Sequence, residues 1–142
     1  MQNLKIVTYN PKNVLPEHAI CVLSKGLNSG KPLDGPTPNS FVIHASSNEQ
    51  ARLIKSICMG LWKTKSLYPY HVGSVIPFIR IADFKDVLQN AIEKALITEN
   101  LAQKSMQIGK LEEMEKVYLS NLTLIQEAKK AIYLSFIRHK RK

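Results

Sequence analysis

From Asp83 to Lys142 the chain has no proline and a single glycine, Gly109, and its apolar residues recur every three or four positions. That interval is the repeat of one helix face. More than a third of a 142-residue chain is thereby committed to helix. Proline is absent from the run, so nothing in it breaks a helix outright, and Gly109 is its weakest point for helix propensity. The stretch reads as one very long helix or as two long helices folded back at Gly109, and the hairpin is the expected form. Val87, Leu88, Ala91, Ile92, Ala95 and Leu96 make a wide apolar stripe in the first arm. Leu111, Met114, Tyr118, Leu122, Ile125, Ile132 and Phe136 make one in the second, and Asp83 is placed to cap the start.

The second arm carries more apolar residues than two helices need for packing on each other. Val117, Leu119, Leu124, Ala131, Leu134 and Ile137 lie off its main seam. A helix that is hydrophobic nearly all round is covered on several sides. The cover is either the remainder of the chain or another copy, so a homodimer through the C-terminal helices stands as an expectation.

Upstream, Leu4–Tyr9 is rich in β-branched and aromatic residues and stops at Asn10-Pro11, the pattern of a first strand. Pro16 to Leu27 has helical spacing at Ile20, Leu23 and Leu27, with a strand over Ala19–Leu23 as the competitor. Asn28 to Ser40 is the longest loop signal, with Pro32, Pro36 and Pro38 beside Gly30 and Gly35. Phe41–His44 is a short strand with both faces apolar. Ser46-Ser47-Asn48-Glu49-Gln50 is a capping box that opens a helix to about Ser66. Leu67 to Ser74 is a loop, and Val75–Ile81 is a third strand whose Pro77 either places it at an edge or delays its start to Phe78.

The order strand, helix, strand, helix, strand, long helices defines an α/β or α+β fold. It has a small three-stranded sheet, two crossover helices and a long C-terminal helical hairpin. No composition break marks a linker, so 1–142 is expected to be a single domain. Within it, 1–82 forms the strand–helix half and 83–142 the hairpin with its basic end.

Chemistry-bearing motifs are scarce. Gly26 to Pro32 resembles a phosphate loop only superficially: three residues separate its glycines, and Pro32 stands where the magnesium-binding hydroxyl belongs. His18, Cys21, His44, Cys58 and His71 supply only one close pair, short of the two that a zinc site shows. Ser74 lacks the surroundings of a nucleophile elbow, and Cys58 lies inside a helix. No catalytic residue, metal ligand or cofactor site is therefore expected, and a small enzyme ranks below a binding protein. No apolar run approaches the ~20 residues of a membrane span, and Met1–Lys5 lacks a secretory h-region. With only two cysteines, a cytoplasmic protein with free thiols and no membrane partner is expected.

The unusual total is a net charge of +9. Lys129, Lys130, Arg138, Lys140, Arg141 and Lys142 carry +6 of it in a segment without an acid. A second basic stretch, Trp62 to His71, mixes lysines with aromatic rings: cations neutralise phosphates, and exposed rings stack on bases. The candidate binding residues are Lys63, Lys65, Tyr68, Tyr70, His71, Arg138, Lys140, Arg141 and Lys142. Their expected partner is nucleic acid or an acidic protein. The alternative is a self-associating interaction module whose charge serves solubility.

Overall fold

The computed structural model describes residues 4–138. The chain divides into two compact units, Met1–Glu99 and Asn100–Lys142.

The first unit is mixed α+β. Its elements are β1 (Ile6–Thr8), β2 (Ile20–Leu23), β3 (Pro32–Leu33), β4 (Ser40–Ile43), α1 (Asn48–Lys63), a 3₁₀ turn at Tyr68–Tyr70, β5 (His71–Val72), β6 (Phe78–Ile79) and α2 (Ile81–Leu96). Four strands form one antiparallel sheet in the order β1-β4-β2-β3, and β5 and β6 form a separate two-stranded ribbon. β4 pairs with β1 (Val7 opposite Val42) and with β2 (Cys21 opposite Val42). β1 and β2 therefore run parallel with β4 between them, joined by the connection over residues 9–19.

The alternation of strand side chains explains the layering. Ile20, Val22, Phe41 and Ile43 point to one face. There they meet Ile54 and Cys58 of α1 and Phe84, Leu88 and Ile92 of α2 in one buried cluster. Phe41 and Phe84 stack with centroids 5.6 Å apart. Every residue of β4 is buried, and the Ser40 hydroxyl is satisfied there by donating to the Thr37 carbonyl at 2.7 Å. On the other face, Val42 and Cys21 are also buried. A recess of about 270 Å³ opens there between the sheet, including Val7, Val42 and His44, and the loop from Asn10 to Pro16.

Several sequence expectations are corrected. The main sheet has four strands, not three. Pro16 to Leu27 is not a crossover helix: Ile20–Leu23 is a strand whose first three residues are all buried, and a strand buried on both faces gives an apolar run that mimics helical spacing. β3 lies inside the proline- and glycine-rich segment read as loop. Pro32 is tolerated because the strand is at the sheet's edge. The third expected strand starts at Phe78, the later of its two expected starts, and pairs only over Phe78–Ile79. α2 begins at Ile81 with Arg80 as its N-cap, so Asp83 sits in the first turn without capping.

The second unit is α3 (Leu101–Ile137), a single helix of 37 residues. Gly109 is inside it, so the expected fold-back at that glycine does not occur. The break in the run from Asp83 to Lys142 comes instead between Leu96 and Leu101. Thr98 there donates its hydroxyl to the Lys94 carbonyl at 2.9 Å, and Asn100 takes the left-handed conformation (φ 60°). Asparagine tolerates that conformation better than most residues, while one glycine in a long helix costs only about 1 kcal/mol. No residue of α3 is buried. Among the described residues, no helix is long and apolar enough to cross a membrane.

Candidate nucleic-acid interface

The basic-aromatic stretch of the first unit forms a corner that three local features build. α1 ends at Lys63. The Thr64 amide bonds back to the Gly60 carbonyl, and the Thr64 hydroxyl donates to that same carbonyl at 2.8 Å. Lys65 then adopts φ 57°, which turns the chain sharply. Leu67, 1% exposed, pins the turn into the core, so the flanking residues are held outward on a fixed base. Tyr68-Pro69-Tyr70 follows as a single 3₁₀ turn, and His71-Val72 pairs with Ile79 and Phe78.

The hairpin between β2 and β3 comes up beside this corner. An isolated bridge joins Lys25 to Phe78, and the Gly26 amide donates to the Pro77 carbonyl at 2.6 Å. The hairpin doubles back at Gly30 (φ 93°), where a Cβ would strike the Leu67 side chain. Glycine is needed there for the backbone angle and for the space. This path brings Asn28 and Lys31 to α1. The Trp62 indole N–H donates to Asn28 Oδ1 at 3.3 Å, and Lys31 Nζ lies 4.9 Å from the centre of the Trp62 ring.

The result is two neighbouring groups of cations and rings. Lys31 and Lys63 (5.8 Å) both approach Trp62, Lys65 Nζ is 5.6 Å from the Tyr68 ring, and Tyr68 and His71 have centroids 5.1 Å apart. Tyr68 and Tyr70 are exposed. Such contacts contribute ~0.5–1 kcal/mol each at exposed sites. Lys63 also suits the negative end of the α1 dipole, which accounts for part of its placement.

Of the residues expected from sequence, Lys63 meets Trp62, and Lys65, Tyr68 and His71 form a second group, with Tyr70 in the same 3₁₀ turn as Tyr68. Asn28, Lys31 and Trp62 join them. Trp62 belonged to the basic-aromatic stretch. Lys31 sits far away in sequence, inside the Asn28–Ser40 loop segment, and was not among the candidate binding residues. Arg138 is the C-cap of α3 in the second unit. Lys140, Arg141 and Lys142 lie outside the described residues.

The groups weighed for catalysis or metal binding are scattered. Among the described residues, no three His, Cys, Asp or Glu side chains gather where a metal ion could sit. His18 Nδ1 is hydrogen-bonded to Asn48 Oδ1 at 2.9 Å. Burial, and then the charge of Lys5, hold His44 below the ordinary imidazole range. Burial pushes the Cys21 thiol up, and pushes Cys58 up to about 12, so neither is poised as a thiolate nucleophile.

What the geometry defines is a small mixed α+β unit, with a basic-aromatic corner at one end of α1, followed by a long helix. Residues 6–135 match a family described as a family of unknown function (DUF6943), and the chain belongs to that family. No curated protein and no solved structure matches it.

Proposed function

We propose that the protein is a non-enzymatic binding module whose first unit holds single-stranded nucleic acid against the Trp62–His71 corner. The observation that carries this reading is the convergence of Lys31 and Lys63 on Trp62 and of Lys65 on Tyr68, beside an exposed Tyr70. A strand with unstacked bases needs rings for its π-faces and cations for its phosphates at the spacing of successive nucleotides. A duplex keeps its base faces stacked inside, so the exposed rings of the corner suit a single strand better. Lys31, Lys63 and Lys65 make the phosphate contacts. Tyr68 and Tyr70 offer their faces to bases, and His71 backs Tyr68.

The chain's single tryptophan, Trp62, makes the test direct. Titration with a short single-stranded oligonucleotide should change its fluorescence. Affinity should fall with salt on a log–log slope of about −2, as three phosphate contacts give for a single strand. Lys31→Glu combined with Lys63→Glu should weaken binding by at least about tenfold at low salt and flatten the slope. Binding with no salt dependence, or none at all, removes the proposal.

A further inference from the structure

We infer that α3 is the pairing surface for a second copy of this chain, and that the two copies lie antiparallel. The inference is independent of the nucleic-acid reading, since it concerns the other compact unit. Leu101 and Leu134 apart, the large apolar side chains of α3 are between 49% (Leu122) and 66% (Tyr118) exposed. Monomeric proteins rarely leave contiguous apolar surface of more than a few hundred Å² in water. One seam of α3 runs Ile108, Leu111, Tyr118, Leu122, Ile125, then Ile132 and Phe136, in steps of three, seven, four, three, seven and four residues. That is the alternation of a coiled-coil core with two positions left out. With each side chain exposing on the order of 100 Å², the seam offers about 700 Å² per copy, close to the ~800 Å² that a standard interface buries on each partner.

The two omitted positions decide the occupant and its direction. They are Glu115 and Lys129, of opposite charge. In a parallel pair in register, Glu115 would face the same glutamate of the other copy, and Lys129 the same lysine, so like charges would meet in the seam. In an antiparallel pair, core layers match Tyr118 with Leu122 of the second copy and Ile108 with Ile132. The same register sets Lys129 of one copy against Leu111 of the other, and Glu115 against Ile125. These two layers are adjacent, separated by one turn of about 6 Å. A lysine side chain spans that distance while its stem stays on the apolar seam. Glu112 flanks the same lysine. Two-fold symmetry makes this pairing twice, so Glu115 and Lys129 each meet an opposite charge and neither meets its like, while Phe136 at the end of the seam covers the stem of Lys104. A partner other than a second copy would have to reproduce this spacing of charges, whereas the chain itself already carries it.

Sedimentation equilibrium of the full chain over a range of concentrations tests the inference. The 16.1 kDa chain should sediment as a dimer at micromolar concentration. Leu122→Glu, at a position not buried within its own chain, should raise the dissociation constant at least about a hundredfold, because two central layers lose their leucine. Glu115→Lys and Lys129→Glu should each weaken pairing by about tenfold or more, and the double variant Glu115→Lys/Lys129→Glu should restore it. A monomer at high concentration overturns the inference. So does a double variant no tighter than the singles, since a parallel pair would gain nothing from the exchange.

Discussion

α2 and α3 draw on the same apolar alphabet and come to opposite ends. In Ile81–Leu96, the side chains of Phe84, Leu88 and Ile92 fall four residues apart and all lie buried beneath the sheet. In Leu101–Ile137 the apolar residues spread around the cylinder, and none is buried. Apolar content is therefore no guide to burial. A helix packs on a small sheet when its large residues form one stripe about as wide as the surface offered. When they surround the axis, no single surface can cover them, and the helix needs cover from more than one direction.

The strongest way to break that contrast is to truncate one aromatic ring in each helix. Phe84 is 0% exposed and stacks on Phe41. Phe84→Ala should cost about 3–5 kcal/mol of unfolding free energy, the usual range for a fully buried ring. Phe136 is 60% exposed. In protein dilute enough to be monomeric, Phe136→Ala should stay within about 0.5 kcal/mol. Urea titrations followed by circular dichroism decide it. Equal costs would mean that α3 is packed in the monomer after all.

The next contrast concerns two glycines. Gly30 holds φ 93° with Leu67 against the place a Cβ would take, whereas Gly109 has open space around it inside α3. Gly30→Ala should destabilise the first unit by about 2–3 kcal/mol, from left-handed strain and displacement of a core side chain. Gly109→Ala should instead raise helix stability by about 0.5–1 kcal/mol. Thermal melts of the two variants should shift in opposite directions. A gain from Gly30→Ala would show that the hairpin between β2 and β3 does not need its tight turn.

These pairs also mark what was legible in the sequence. Signals that act within a few residues could be read directly: the Ser46–Gln50 start of α1, the strand before Asn10-Pro11, and the apolar strand at Phe41. The two strand misreadings share one cause, which is that long-range pairing overrules local pattern. Ile20–Leu23 spaces like a helix but is held as a strand by β4 and β3. Pro32–Leu33 has the composition of a loop but is an edge strand because β2 lies beside it. Gly109 drew attention as the weakest helix former, yet the run breaks at Ile97–Asn100, where Asn100 accepts a left-handed angle. At the candidate site, the stretch from Lys63 to His71 was visible as basic residues among rings. Lys31 was not, because only the return of the β2–β3 hairpin sets it over Trp62.

The finest contrast lies at the helix starts. α1 is capped from both directions. The Ser47 hydroxyl accepts from the Gln50 amide at 3.1 Å, and Gln50 Oε1 accepts from the Ser46 amide at 2.6 Å. Asn100, at the corresponding position of α3, makes no side-chain cap bond. Ser47→Ala should therefore cost the first unit about 1 kcal/mol, the usual loss for an N-cap hydroxyl, and lower its melting temperature by several degrees. Asn100→Gly removes no cap bond and keeps the left-handed angle, so it should change stability by no more than about 0.5 kcal/mol. Amide exchange at the first turn of each helix reads the difference directly. The first turn of α3 should exchange quickly in the native protein and stay unchanged by Asn100→Gly. The first turn of α1 should be protected until Ser47 is replaced. If the start of α3 were as protected as that of α1, some group other than its own cap residue would be covering those amides, and α3 could no longer count as a helix without cover in its own chain.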